Sequence, residues 1–238
     1  MNSLVKKQRR FILCALAIPV LLLVCFVMVP AIDLIRMSFT NWDGLSPTCD
    51  FIKFDNYITM FKDPDLWQSL KNNAVYFFVH LLMIPVELGF AVLLTSKLRG
   101  AKFYKTMVFL PYIINGVAIS YVFSYFFSPI NGAFDSLLEA VKLGMLSQSW
   151  LSDPKIVNFV LAFVSLWRFS GYHIILFMAA LQSISQDVME AATIDGANSW
   201  QLFRYIQTPS IMLMVDFVLF DNIRGAMQVF DIPFVMTS

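Results

Sequence analysis

The sequence predicts an all-α, polytopic membrane protein with five transmembrane helices, on three observations. Of 238 residues, 58% are hydrophobic and 14% charged, where a soluble domain averages about 45–50% and about 25%. The mean hydropathy is +0.69. The charges gather in short intervals between long apolar runs, and about 20 apolar residues span the roughly 30 Å of hydrocarbon as a helix. A net charge of +1 gives no footing for a nucleic-acid partner.

Residues 1–10 carry Lys6, Lys7, Arg9 and Arg10, and 11–32 is uncharged. A signal peptide has a shorter core, about 7–15 residues, ending in small residues at a cleavage site. Pro30-Ala31-Ile32-Asp33 is no such site, so an uncleaved first span is expected. Residues 38–72 form a mixed-charge loop with turn signals at Asn41-Trp42-Asp43-Gly44 and Asp63-Pro64-Asp65. Trp42 and Trp67 suit the membrane interface. The second span, 73–96, contains Pro85 and Glu87. A basic interval without acids follows: Lys97, Arg99, Lys102 and Lys105.

The third span, 107–127, contains Pro111 and Gly116. The loop 128–155 has room for a short surface helix within Phe134–Leu146. The fourth span, 156–181, holds Arg168 and His173, and the fifth, 210–230, holds Asp216, Asp221 and Arg224. The two basic intervals fall on one side if each span crosses once, and the positive-inside rule makes that side cytoplasmic. The amino terminus and the loop 182–209 are then cytoplasmic. The three cysteines, Cys14, Cys25 and Cys49, have neither disulfide nor metal spacing.

The polar interval Glu190–Pro209 is patterned. Ser185 suits an N-cap, with Asp187 and Glu190 where a helix start favours acids. Gly196 suits the left-handed residue that ends a helix. Ser199 is expected to cap a second helix through Ile206, and Pro209 to open the next span. Ala191 and Ala192 permit close backbone approach, while Trp200, Phe203 and Ile206 recur at helical spacing. Short helices of this kind are marginal alone, so a partner surface is expected.

This interval resembles the EAA loop of inner-membrane permease subunits of binding-protein-dependent ABC importers. The matching residues are Glu190, Ala191, Ala192, Asp195, Gly196, Ala197, Ile206 and Pro209, with Thr208 where leucine is usual. Ser165–Phe169, Gly171-Tyr172, Leu181–Ile184 and Val229–Thr237 resemble the carbohydrate branch, of the maltose and glycerol-phosphate type. The resemblance implies that the loop docks on an ATP-hydrolysing subunit, that ATP is bound there and not on this chain, and that no other cofactor is needed. It implies a sugar substrate, a second homologous permease, an extracytoplasmic solute-binding protein and a bacterial plasma membrane. The family core has six spans. The sequence stops at Ser238 ahead of the sixth, so a C-terminally truncated permease is expected. No phosphate-binding Gly-x-x-x-x-Gly-Lys-Ser/Thr motif occurs.

Charges at membrane depth are costly and mark pathways. Arg168 and Asp221 lie at similar depth, face the interior and are candidates to pair. The alternative is that Asp221 pairs with Arg224, three residues on. Trp167, Arg168, Tyr172 and Asp221 are the candidate lining of a translocation path. Trp167 and Tyr172 suit a sugar face or plain helix packing. Glu87 reads as an interior carboxyl satisfied beside the Pro85 kink. His80 and His173 lack metal-ligand spacing. Glu87, Asp216 and Asp221 also support a second class, an ion-coupled secondary transporter, although no internal repeat is present. An enzyme would need a convergent nucleophile or metal constellation, and no spacing suggests one.

Overall fold

A computed structural model describes residues 2–96, 99–130 and 132–237, with side chains from Val5 onward. Among the described residues the secondary structure is helical, with one isolated bridge between Thr40 and Phe51. The chain forms two compact units, residues 1–68 and 69–238.

In the first unit α1 (Asn2–Leu23) passes through a π-helical turn at Val24–Met28 into α2 (Val29–Met37). Its apolar side chains point outward all round, Phe11 and Phe26 each being 74% exposed. Such a helix suits lipid and not water. The chain then folds back. Asn56 Nδ2 donates to the carbonyls of Ser38 and Thr40, and Ser38 Oγ lies 2.7 Å from Tyr57 Oη on α3 (Asp55–Lys62).

The second unit is built on α4 (Pro64–Thr95), which begins in the first unit, and α8 (Val157–Gln182). On α4, Tyr76, Ile84, Leu88, Ala91 and Leu94 fall on one face and are buried. Half of the most apolar stretch of α8 is buried, so α8 is apolar on most sides and shows no clean stripe. The expected span 107–127 is two helices, α5 (Ala101–Ile113) and α6 (Gly116–Phe126), set at 95°. Ile114 and Asn115 are extended, and the Asn115 side chain accepts from the Val117 and Ala118 N–H groups. That cap replaces the carbonyls lost at the break. The short surface helix is present as α7 (Ala133–Ala140), tied down by Trp150 Nε1 donating to Asp135.

After α8 come α9 (Gln186–Ile194), α10 (Ser199–Leu202), a π-helical turn at Phe203–Gln207 and α11 (Thr208–Ser210). Where the fifth span was expected from 210, α12 (Met212–Gln228) starts two residues later, bent by 68° from the helix before it. The chain finishes in α13 (Asp231–Met236), which packs on α6 and α8. Among the described residues three helical stretches are long and apolar enough to cross a membrane, and each bent pair adds one more if it counts as a span.

Close approach sets this arrangement. A methyl group on Gly171 of α8 would run into the Val108 carbonyl of α5, with Val108 C at 2.7 Å and Phe109 Cα at 3.1 Å. Only glycine lets these two backbones meet.

Candidate translocation cavity and coupling loop

A cavity of about 260 Å³ lies between α4, α8, α12 and α13. Tyr76 and His80 come from α4, and Ser165, Arg168, Phe169 and His173 from α8. Asp221, Asn222 and Arg224 come from α12, and Phe230 and Asp231 lead into α13. Their helical spacing places them on one wall each: 165, 168 and 169 repeat at three and four residues.

A polar chain runs along one side of it. Glu87, 2% exposed, places Oε2 3.1 Å from His173 Nδ1. His173 Nε2 lies 3.8 Å from Asp221 Oδ2. Arg224 donates through Nε and Nη2 to Asp221 Oδ1 at 3.1 and 2.7 Å, and through Nη1 to Gln228 at 3.0 Å. His80 Nε2 sits 3.1 Å from Ser165 Oγ. Three other buried atoms of the lining, Tyr76 Oη, Asn222 Nδ2 and Arg168 Nε, have no hydrogen-bond partner among the described residues. Buried polar groups normally find one, so these three are exceptions in an otherwise bonded wall. The Phe169 and Phe230 rings supply apolar faces.

Of the four candidate path residues, Arg168 and Asp221 line the cavity. They share it without forming an ion pair. Asp221 is taken by Arg224, its neighbour on the same helix face. The Arg168 guanidinium instead rests on Gly116 and over the Phe169 ring, 5.0 Å from its centroid. Trp167 lies on another face of α8, 42% exposed and edge-on to Phe123. Tyr172 stacks on Tyr112 at 4.7 Å. Neither is in the lining. Glu87 has a partner the sequence did not name, His173, 86 residues away. Tyr76, Asn222 and Phe230 were also missed. Asn222 beside Asp221 was the one polar signal available, and an isolated Tyr or Phe in an apolar run carries none.

The interval 182–209 projects two short helices. Ser185 occupies the N-cap position of α9 in extended conformation, without a side-chain bond. Gly196 takes φ +86°. The Ala197 N–H donates to Ala192 O and the Gly196 N–H to Thr193 O, the paired bonds of a Schellman turn. The cap of the next helix is Asn198, one residue before the expected Ser199. The Asn198 N–H donates to Gln201 Oε1 at 2.8 Å and the Gln201 N–H to Asn198 Oδ1 at 2.9 Å, a capping box. Glu190, Ala191, Asp195, Gly196 and Pro209 are exposed, while Ala192 and Ile206 are half-buried. Asp195, Gly196 and Ile206 line a shallow hollow together with Tyr205. Ile194, Trp200 and Tyr205 are 86%, 66% and 72% exposed.

The family of inner membrane components of binding-protein-dependent transport systems matches residues 70–227. The chain is 31% identical over 234 residues to the probable ABC transporter permease protein YurN of Bacillus subtilis, covering 97% of this chain and 80% of the relative. It is 31% identical to the probable starch degradation products transport system permease protein AmyD of Thermoanaerobacterium thermosulfurigenes, over 91% of this chain and 73% of the relative. A chain from the crystal structure of a bacterial alginate ABC transporter, in complex with an alginate pentasaccharide-bound periplasmic protein, has the same fold. The TM-score is 0.77 at 22% identity, covering 93% of this chain and 74% of that one. A multi-pass helical chain whose family match runs from α4 through α12 therefore belongs to the inner membrane components of binding-protein-dependent transport systems.

Proposed function

We propose that this chain is the membrane-spanning subunit of an ATP-driven saccharide importer and forms half of its translocation pathway. Its amino terminus and the loop 182–209 lie in the cytoplasm of a bacterial cell. The loop docks on one of a pair of ATP-hydrolysing subunits, which bind the ATP; this chain binds none and makes or breaks no covalent bond. A second homologous permease supplies the other half of the path, and an extracytoplasmic solute-binding protein delivers the sugar.

The observation that carries this reading is the exposed helix pair around Gly196 in a member of this family. Ile194, Trp200 and Tyr205 are largely exposed on it, and a surface of that kind favours burial against a partner. The pair is also attached for transmission. Ile211, 2% exposed, belongs to the core cluster of α4, α8 and α12, and the half-buried Phe203 packs against the same cluster. A displacement of the loop therefore reaches α12 directly. Asp221 lies nine residues along α12 from Met212, roughly 14 Å at 1.5 Å per residue. Closure of the ATPase pair would swing the cavity wall that carries Asp221, Asn222 and Arg224, a rigid-body route to alternating access.

The unpartnered polar groups and two ring faces of the cavity support a saccharide cargo, as does the resemblance to AmyD. Co-purification tests the docking. Glu190→Lys and Gly196→Pro are each expected to lose the ATPase subunit from the complex while the second permease stays bound. Full retention by both variants contradicts the reading. The Glu87–His173–Asp221 chain is the feature a proton-coupled carrier would use. Uptake that persists without ATP and collapses with the proton gradient assigns it instead.

A further inference from the structure

Gly116 is the first residue of α6, and its φ lies outside the left-handed range that calls for glycine. The backbone there accepts any residue. Space does not: a Cβ on Gly116 would meet the Arg168 guanidinium, with Cζ at 2.8 Å and Nη2 at 2.9 Å and Nη1 nearer still. Gly116 cannot retreat. Its carbonyl accepts from Ser120 Oγ at 2.8 Å, Ser120 is fully buried, and Asn115 pins the turn before it. The guanidinium is the end of a flexible side chain and is the part that would give way.

No ion pair explains why the guanidinium rests here. The start of a helix carries partial positive charge and disfavours a cation. Among the described residues no carboxylate pairs with Arg168, and its Nε is buried without a partner. Packing against Gly116 and a cation–π contact with the Phe169 ring hold it. We propose that Gly116 is a positioning residue: by leaving room for the guanidinium it fixes the Arg168 donors in the cavity, where they meet acceptor oxygens of the cargo. Resting on the reading of the cavity as part of the cargo path, this predicts that Gly116→Ala raises the half-saturating cargo concentration and leaves maximal ATP turnover unchanged.

The decisive experiment does not depend on the cargo. Phenylglyoxal, which adds to arginine guanidinium groups, is applied to the assembled complex in nanodiscs, and modification of each arginine is followed by peptide mass spectrometry. Gly116→Ala is expected to change the rate at Arg168 at least severalfold and to leave Arg224, on the other wall, unchanged. Equal rates at Arg168 in both proteins, or parallel changes at Arg168 and Arg224, would overturn the proposal. Should Gly116→Ala fail to assemble, Gly116→Ala combined with Arg168→Ala decides. Recovery of assembly supports the steric relation, and continued failure overturns it.

Discussion

Two apolar helix pairs of the second unit are sharply bent, and the two bends are made differently. At Ile114–Asn115 the helix ladder stops, two residues run extended, and a side chain restarts it by capping Val117 and Ala118. At Ile211 no side chain caps the new helix, and the backbone bonds of the two helices meet at that one residue. Ile211 N–H donates to Gln207 and Thr208, and its own carbonyl accepts from Met214 and Val215. The Ile211 side chain is driven into the core instead. The first bend frees backbone groups beside a cavity wall, where polar capping satisfies them. The second keeps the coupling loop and α12 in one hydrogen-bonded path. On the proposed reading, the first helps place Arg168 at the cargo site and the second carries a displacement.

Changes at three sites break or sharpen that contrast. Gly171→Ala should have the largest effect. Its methyl group meets α5 backbone and not a yielding side chain, so α5 must move before it can reach the first bend. Overpacking of this sort costs about 3 kcal/mol, read as a lower denaturation midpoint in detergent. Ile211→Ala should follow. It removes a buried plug and leaves the ladder intact, at about 2 kcal/mol. Its signature is functional: ATP hydrolysis should lose its dependence on loaded binding protein, while Ile211→Val keeps it. Asn115→Ala removes only a cap, costing about 1 kcal/mol, and Asn115→Asp or Asn115→Ser should restore most of it. Coupling should survive in all three Asn115 variants. If Asn115→Ala uncouples and Ile211→Ala does not, the assignment of roles is reversed.

The smallest effect comes from a turn outside both bends. The Leu45 and Ser46 N–H groups and the Ser46 hydroxyl donate to Asp43, and Trp42 Nε1 donates to Ser46 O. The Ser46 N–H above all, with the Leu45 N–H and the Ser46 hydroxyl, holds the Asp43 carboxyl down at about 2, from an ordinary 3.8. A depressed value means the turn gains from ionisation above pH 3.8 and loses that gain as pH falls toward 2. Fluorescence of a protein retaining Trp42 as its single tryptophan should change across that interval, and Asp43→Asn should abolish the change.

Much of this was legible in the sequence where the signal is local. Gly196 ends α9 with positive φ because only glycine adopts it cheaply, and the small residues and caps around it marked a helix pair. The cap itself slipped by one residue, because Asn198 and Ser199 are both good caps and Gln201 decides between them. The broken span at 114–115 was flagged only weakly by Pro111 and Gly116. Apolar composition suits a straight helix and a bent pair equally well. The role of Gly116 and the Glu87–His173 pair were illegible, since each depends on a residue 52 or 86 positions away brought near by packing of α4, α6 and α8. Of the two pairings open to Asp221, the one with Arg224 on its own helix is present and the one with Arg168 is not, because equal depth in two helices does not fix which faces meet.

On the proposed reading, free energy from ATP hydrolysis in a partner enters through the loop around Gly196 and moves a sugar past α12. Proteoliposomes containing the assembled complex, its binding protein and a trapped ATP supply test it most directly, with uptake of a labelled maltodextrin, lactose and diacetylchitobiose followed in parallel. Uptake of at least one of them is expected to require internal ATP, to resist a protonophore and to fall to background in Glu190→Lys. Uptake that proceeds without ATP, or that Glu190→Lys leaves intact, would contradict it.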